Sequence, residues 1–376
     1  MNPFKYGTIV KDRYFINRKK EIGQLKDDLL NGTNVILYAP RRYGKTSLMM
    51  GILADLKKDG VKTVYLDFFQ VYSLENFIHL YASKVMENCG FSMKKAITSL
   101  KTYIRGIIPS IGLDDDGKPI LSFSYNTGVP KEYSLLDVLD LPNKVKSKKE
   151  KWVVVFDEFQ EINRLNGDTI EKQFRSILQF HGDIGYVFMG SKTHMMLNMF
   201  ADKRRAFYNI GKIQKLNKIS KEEMIDYIET EFRNGGFESE KGIFEIILSY
   251  TDNIPYYNQY LASQIWQIAK EEKTTTINEK MVEKAVNRIM DNQADYYYTL
   301  FDQLTTYQRS VLHAFLKEQE NIYSKEYTQK HGLSSVSSTQ RAMKRLVELG
   351  IIDKIEDKNL FSDPFFPLYL RLRTFA

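Results

Sequence analysis

The chain has 376 residues, enough for two or three domains, and 43% of them are hydrophobic, which excludes a disordered or low-complexity chain and allows sizeable cores. One cysteine, Cys89, and five scattered histidines exclude a disulfide framework and a structural zinc site, and fit a reducing compartment. The net charge of +7, from 54 basic and 47 acidic residues, permits an anionic partner without demanding one.

The N-terminal stretch "MNPFKYGTIVKDRYF" lacks the order of a signal peptide, and no window approaches the ~18 apolar residues of a membrane span. The expectation is therefore a cytoplasmic protein with no membrane partner. The first strand signal is "NVILY" at residues 34–38, followed by the turn "APRRYG" and the helical "KTSLMMGILADLKK". "VKTVYLDF" predicts a second strand and "SLENFIHLYASKVMENC" a second helix. Apolar runs alternating with helical periodicity predict an α/β fold with a parallel sheet.

Residues 102–150 break the pattern and read as an insertion; Asp114, Asp115, Asp116 and Gly117 look like a turn, since the spacing of a calcium loop is absent. A helix is expected over 135–145, then strands at "KWVVVFDEFQEI", "IGYVFMGS" (184–191) and "YNIGKIQKL" (208–216). From about residue 220 to 294 every segment reads helical, and the rest forms a further segment from "LFDQLTTYQRSVLHAFL" onward. The patch "DYYYTLF" (295–301) is expected to pack the helical region against that last segment.

Two stretches carry chemistry. "APRRYGKTS" matches the phosphate-loop pattern G-x-x-x-x-G-K-[ST], except that Ala39 replaces the first glycine. In such a loop, Arg41, Arg42, Tyr43 and Gly44 present backbone N–H groups to phosphate, while Pro40, which has no N–H, belongs to the loop's first turn. Lys45 meets the β- and γ-phosphates, Thr46 can ligate Mg²⁺, and Ser47 follows at the head of the helix. Alanine at the first position costs on the order of 1 kcal/mol if its φ is positive, and nothing otherwise. The second stretch, "WVVVFDEFQ", is a buried strand ending in Asp157 and Glu158, about 110 residues after the loop. An aspartate there would face Mg²⁺, and Glu158 would orient or deprotonate a water at the γ-phosphate; the alternative is a solvated acidic pair.

Together these stretches resemble the prokaryotic ATPase family often called archaeal-type ATPases, in the signal-transduction (STAND) branch of the AAA+-like P-loop proteins. The resemblance covers nearly the whole chain. "YFINRKKEIGQL" is similar to the family's entry segment, with Asn17 in place of glycine, and implies that Phe15 and Arg18 lie beside the adenine. "VFMGSKTHMM" resembles its sensor strand, implying that Ser191 sits at the γ-phosphate; Ser191 also suits a helix N-cap. "ADKRRAFYNIGKIQKL" resembles the stretch with a phosphate-facing arginine, here Arg205 or, by one register, Arg204. "TDNIPYYNQYLA" resembles the G-x-P head of a lid helix, with Asn253 for glycine. The family packs Pro255 on the adenine, although capping alone explains a proline at that position.

The last segment looks like a winged helix, with "IIDKIEDKNLFSD" as the wing and Gly350 closing the preceding helix. If it binds DNA, Thr339, Gln340, Arg341 and Lys344 would face the groove, but winged helices also grip proteins. The expected organisation is a parallel-sheet P-loop NTPase core over 1–217, a helical lid over 218–295 and a winged-helix domain over 296–376. The expected function is an ATP- and Mg-dependent, slowly hydrolysing switch. Its site residues are Lys45, Glu158, Ser191 and Arg205 for catalysis, and Thr46 and Asp157 for the metal. The winged helix would engage duplex DNA or a protein, and nucleotide would govern any oligomer. The rival expectation is a DNA-binding regulator or defence-type scaffold that holds ATP structurally with negligible turnover.

Overall fold

The computed structural model describes residues 1–9, 18–90, 93–113, 116, 117, 119–126, 128–355 and 358–373. The chain divides into two compact units, one of Arg18–Ala39 and Lys45–Leu216, the other of Met1–Asn17, Pro40–Gly44 and Asn217–Ala376.

The first unit runs α1 (Lys19–Leu30), β1 (Val35–Tyr38), α2 (Lys45–Lys58), β2 (Lys62–Asp67), α3 (Leu74–Asn88), α4 (Met93–Tyr103), β3 (Ile107–Leu113), β4 (Pro119–Tyr125), α5 (Lys131–Leu139), α6 (Leu141–Val145), β5 (Trp152–Asp157), α7 (Gly167–Leu178), β6 (Ile184–Gly190), α8 (Thr193–Ala201) and β7 (Lys212–Lys215). Its sheet has the order β2-β5-β6-β1-β7, with every pair parallel. Every residue of β5 and β6 is buried, as strands covered by helices on both faces must be. An aromatic cluster fills one side: Phe156 lies 5.8 Å from both Phe174 and Phe188, and Phe159 4.8 Å from Phe188. Each such ring stabilises the fold by about 1.5–3 kcal/mol through the apolar area it removes from water.

Only part of the expected insertion leaves this alternation. β3 and β4 form an antiparallel hairpin, from Ile107 opposite Tyr125 to Leu113 opposite Pro119. Asp116 and Gly117 lie in its connection, while Asp114 and Asp115 lie outside the described residues. α5 then returns to the core through Leu135, Val138 and Leu139. The helix expected over 135–145 divides at Asp140 because Pro142 has no N–H to continue the ladder.

Between α7 and β6 sits a buried histidine. His181 Nδ1 lies 2.7 Å from the Tyr186 hydroxyl and Nε2 3.0 Å from Asp140 Oδ1. Burial pushes its pKa below the ordinary imidazole value, against the opposing pull of Asp140. The folded state therefore favours the neutral ring. That contribution is complete above about pH 6.5 and is lost as pH falls through the lower folded-state value. Melting followed from pH 7.5 to 5 should show a falling midpoint, and His181→Gln should flatten the dependence. An unchanged slope in the variant would mean that other groups set it.

The second unit gathers α9 (Lys221–Asn234), β8 (Glu238–Ser239), α10 (Ile243–Tyr250), α11 (Pro255–Glu271), β9 (Thr276–Ile277), α12 (Glu279–Asn292), α13 (Ala294–Asp302), α14 (Thr306–Lys317), α15 (Lys325–Lys330), α16 (Val336–Glu348), β10 (Ile352–Ile355), β11 (Lys358–Phe361) and α17 (Phe366–Arg373). The sequence assigned the N-terminus to the core; the structure groups it here instead. Phe4 is buried among Tyr227, Phe232 and Trp266, and the Asn2 amide donates to Ser263. Tyr297, from the aromatic patch, is buried against Phe366 and Tyr369 of α17, at 5.3 and 5.2 Å, so these contacts lie within the segment 296–376 rather than between it and the helical region. The winged helix comprises α14–α16 and the antiparallel wing β10–β11, and Gly350 closes α16 at a φ of 71°.

Candidate functional site

The sheet order decides what meets what. β1 has β6 and β7 as neighbours, and β6 separates it from β5. The loop after β1 and the carboxylates after β5 are thus one strand apart, at the carboxyl ends where open α/β sheets bind ligands. They still meet: the Thr46 hydroxyl donates to Asp157 Oδ2 at 2.9 Å.

Ala39 is buried and absent from the residues with positive φ, so replacing the first glycine causes no strain. The left-handed positions are Arg42, at 70°, and Gly44, at 88°. A Cβ on Gly44 would point into open space with nothing within 4 Å, the room a phosphate needs against the backbone. Lys45 is buried, and its ammonium donates to the Ala39 carbonyl at 2.8 Å, folded back over its own loop. Ser47, one residue past Thr46, is half-buried in the first turn of α2.

Asp157 collects three donors. Its Oδ2 accepts from Thr46 and from the Tyr65 hydroxyl at 2.7 Å, and its Oδ1 from the Glu158 N–H at 2.8 Å. Burial and then the Asp157 charge push the Tyr65 pKa far up, so the phenol keeps the proton that it donates. Asp67 stands opposite Asp157 in the β2–β5 register; burial first, then the nearby Asp157 and Glu158 charges, raise its pKa. The sequence reading missed Tyr65. Its signal was two-residue periodicity, which sets Tyr65 on the same face of β2 as Asp67.

Glu158 adopts the left-handed region, with φ 48° and ψ 40°. Its Oε2 accepts from the Ser191 hydroxyl at 2.7 Å and the Ser191 N–H at 3.3 Å. Ser191 therefore meets the carboxylate directly, and the N-cap of α8 is Lys192. The N-cap alternative for Ser191 is set aside.

Phe15 lies outside the described residues. Arg18 is buried at the head of α1, 3.5 Å from Glu21. Arg205 is engaged by Glu171 and by Asp168, the latter at 3.0 Å, and Arg204 by Asp202 at 2.7 Å. Burial raises the Glu171 pKa, and the hydrogen bond and charge of Arg205 oppose it.

In the second unit, Pro40 and Tyr43 are buried while Arg41 is exposed. Burial, with Asp252 and Asp353 nearby, pushes the Tyr43 pKa up to about 12. The Arg42 guanidinium lies over the Tyr257 ring at 4.7 Å and 3.8 Å from Asp363. Pro255 opens α11, and the N–H of the next residue, Tyr256, reaches the Arg42 carbonyl at 3.4 Å. Asn253 replaces the expected glycine at a φ of 49°, a conformation that asparagine tolerates.

On α16, Gln340, Arg341 and Lys344 are exposed, but Thr339 is buried. The Thr339 hydroxyl donates to the Ser335 carbonyl at 2.9 Å and lies 3.1 Å from the Tyr307 hydroxyl, so it cannot face a groove. This was legible: Thr339, Ala342, Met343 and Leu346 share one helical stripe.

Mg²⁺ with a triphosphate fits these residues. The protein offers the Thr46 hydroxyl and Asp157, and Mg²⁺ takes its other ligands from phosphate and water. Among the described residues no group of three or more His, Cys, Asp or Glu is placed to hold a metal, and no helix is long and apolar enough to cross a membrane.

A family model described as an ATPase domain predominantly from Archaea matches residues 15–261, and one described as a probable winged helix domain matches residues 295–372. No curated protein matches the sequence. Among solved structures, a Walker-type ATPase of Pyrococcus abyssi superposes with a TM-score of 0.65 at 15% identity, covering 98% of this chain and 99% of that one. The ORC2 protein of Aeropyrum pernix, in ADPNP–ADP complexes, gives 0.57 at 14% identity, covering 100% and 98%. The ORC1 protein of the same organism, in complex with DNA, gives 0.52 at 13%, covering 96% and 95%. At these identities the likeness establishes the fold.

Proposed function

This chain belongs to the ATPase family found predominantly in Archaea, and we propose that it binds Mg-ATP at the loop and hydrolyses it slowly, as a switch. The observation that carries this reading is the 2.9 Å bond from Thr46 to Asp157, which joins the loop hydroxyl to the acidic strand end. Gly44 and the following amides cradle the phosphates, Lys45 turns from the Ala39 carbonyl to the β- and γ-oxygens, and Thr46 and Asp157 hold Mg²⁺. The ion, when bound, neutralises charge on the phosphate oxygens. Glu158 takes a proton from water as the water oxygen bonds to the γ-phosphorus. The bond from that phosphorus to the bridging oxygen breaks, its electron pair leaving with ADP. Ser191 holds Glu158.

The γ-phosphate would bias the helical region and winged helix between two arrangements, and hydrolysis would reset them. Calorimetric titration of ATP with and without Mg²⁺, followed by phosphate release, tests the reading. No heat in either titration would overturn it. Binding without turnover would favour the structural-nucleotide alternative.

A second reading concerns the partner. The exposed Gln340, Arg341 and Lys344 share the outer face of α16, the arrangement by which winged helices reach DNA. The Aeropyrum pernix ORC1 protein, of similar fold, was solved with DNA. If duplex DNA is the partner, Arg341→Glu with Lys344→Glu should lower the slope of log affinity against log salt by about 2, because each phosphate contact contributes ~0.9. An unchanged slope would redirect the search to proteins.

A further inference from the structure

Gln160 lies two residues beyond Glu158 and is only 1% exposed. Its Nε2 donates to Glu158 Oε2 at 2.5 Å, the oxygen that also accepts from Ser191. Its Oε1 is buried and meets no donor among the described residues. The amide is nevertheless well housed: a Cβ on Gly190 would come within 2.4 Å of Gln160 Oε1, so the glycine at the end of β6 makes room for it. Turning the amide over would set its oxygen against a carboxylate oxygen, which fixes the assignment of nitrogen and oxygen. Burying a polar side chain with one end unmet is unfavourable, and an apolar side chain of that length would fill the space without the penalty. The polarity at 160 therefore serves its one bond, the bond to Glu158.

That bond completes an asymmetric carboxylate. Oε2 is held from three directions, by Gln160 Nε2, Ser191 Oγ and Ser191 N, whereas none of the described residues donates to Oε1. The left-handed backbone of Glu158 leaves the side chain in need of such anchoring, since a strained residue persists only where its surroundings over-determine it.

We propose that Gln160 is a positioning residue for Glu158. With Ser191 it fixes Oε2, so that Oε1 is the atom presented to the attacking water. This rests on the ATPase reading of the site. Gln160 acts through Glu158, to which it is bonded.

The test uses the full-length protein and Gln160→Met, which keeps the length and removes the donor. Gln160→Asn is the second variant, an amide one methylene too short to reach Oε2. Both should remain folded, as melting curves verify, and bind Mg-ATP within about twofold by calorimetry. Both should keep KM within about twofold and lose at least about tenfold in kcat, the scale of a displaced general base. In a Glu158→Gln background the same changes should leave the residual rate untouched, because a residue acting through Glu158 has nothing left to position. A parental kcat in either folded variant would overturn the assignment, as would an equal loss in both backgrounds. A parent protein that binds ATP without turnover would overturn the ATPase reading together with this inference. Parental turnover with an unaffected Gln160→Met would overturn this inference alone.

Discussion

Replacing Lys45 with alanine should abolish nucleotide binding, weakening Mg-ATP by roughly a hundredfold or more, given about 1.5–3 kcal/mol for each hydrogen bond made by a charged group. The ammonium is buried and held at 2.8 Å from the Ala39 carbonyl, so little side-chain freedom remains to be lost when phosphate arrives. Removing it takes away the one buried ammonium of the loop and leaves the β- and γ-oxygens without that charged donor. Lys45→Arg should not restore binding, because a planar fork cannot replace a compact ammonium folded over its own turn. Calorimetry with ATP and ADP checks both variants, with melting curves to verify the fold. Affinity within threefold of the parent in Lys45→Ala would remove the loop from the site.

The second large effect is a separation of binding from turnover. Glu158→Gln keeps the size of the side chain and an oxygen that can accept from Gln160 and Ser191, so the fold and the affinity for Mg-ATP should hold within about threefold. It loses the ability to take a proton. Phosphate release should fall by about 10²–10⁴, the range attributable to general-base catalysis. Parental turnover in this variant would exclude Glu158 as the base and leave Asp157, already accepting from Thr46, Tyr65 and the Glu158 N–H, as an unsuitable substitute.

Local pattern made much of this architecture readable. Five consecutive buried apolar residues before Asp157, and the run before Ala39, announce strands of a covered parallel sheet because every side chain there must leave water. The wing strands and the closing Gly350 were equally plain, since turn chemistry and capping act over a few residues. Errors arose where a short-range signal competed with a longer one. Thr339 was given to a groove by likeness to winged helices that bind DNA, although the stripe it shares with Ala342 and Leu346 buries it. The helix over 135–145 ignored a proline that cuts it in two.

The amino-acid order alone determined the phosphate loop, its amphipathic helix, the acidic strand end and the winged helix, for each is written in residues close enough to act on one another directly. Folding alone decided that β6 stands between loop and carboxylates, that Tyr65 joins Thr46 on one aspartate oxygen, that Glu171 claims Arg205, and that Phe4 belongs with Trp266. The reason is physical. A hydrophobic period states that a face will be buried but not against what, and partners from 34 to some 260 positions apart are chosen by how whole layers pack.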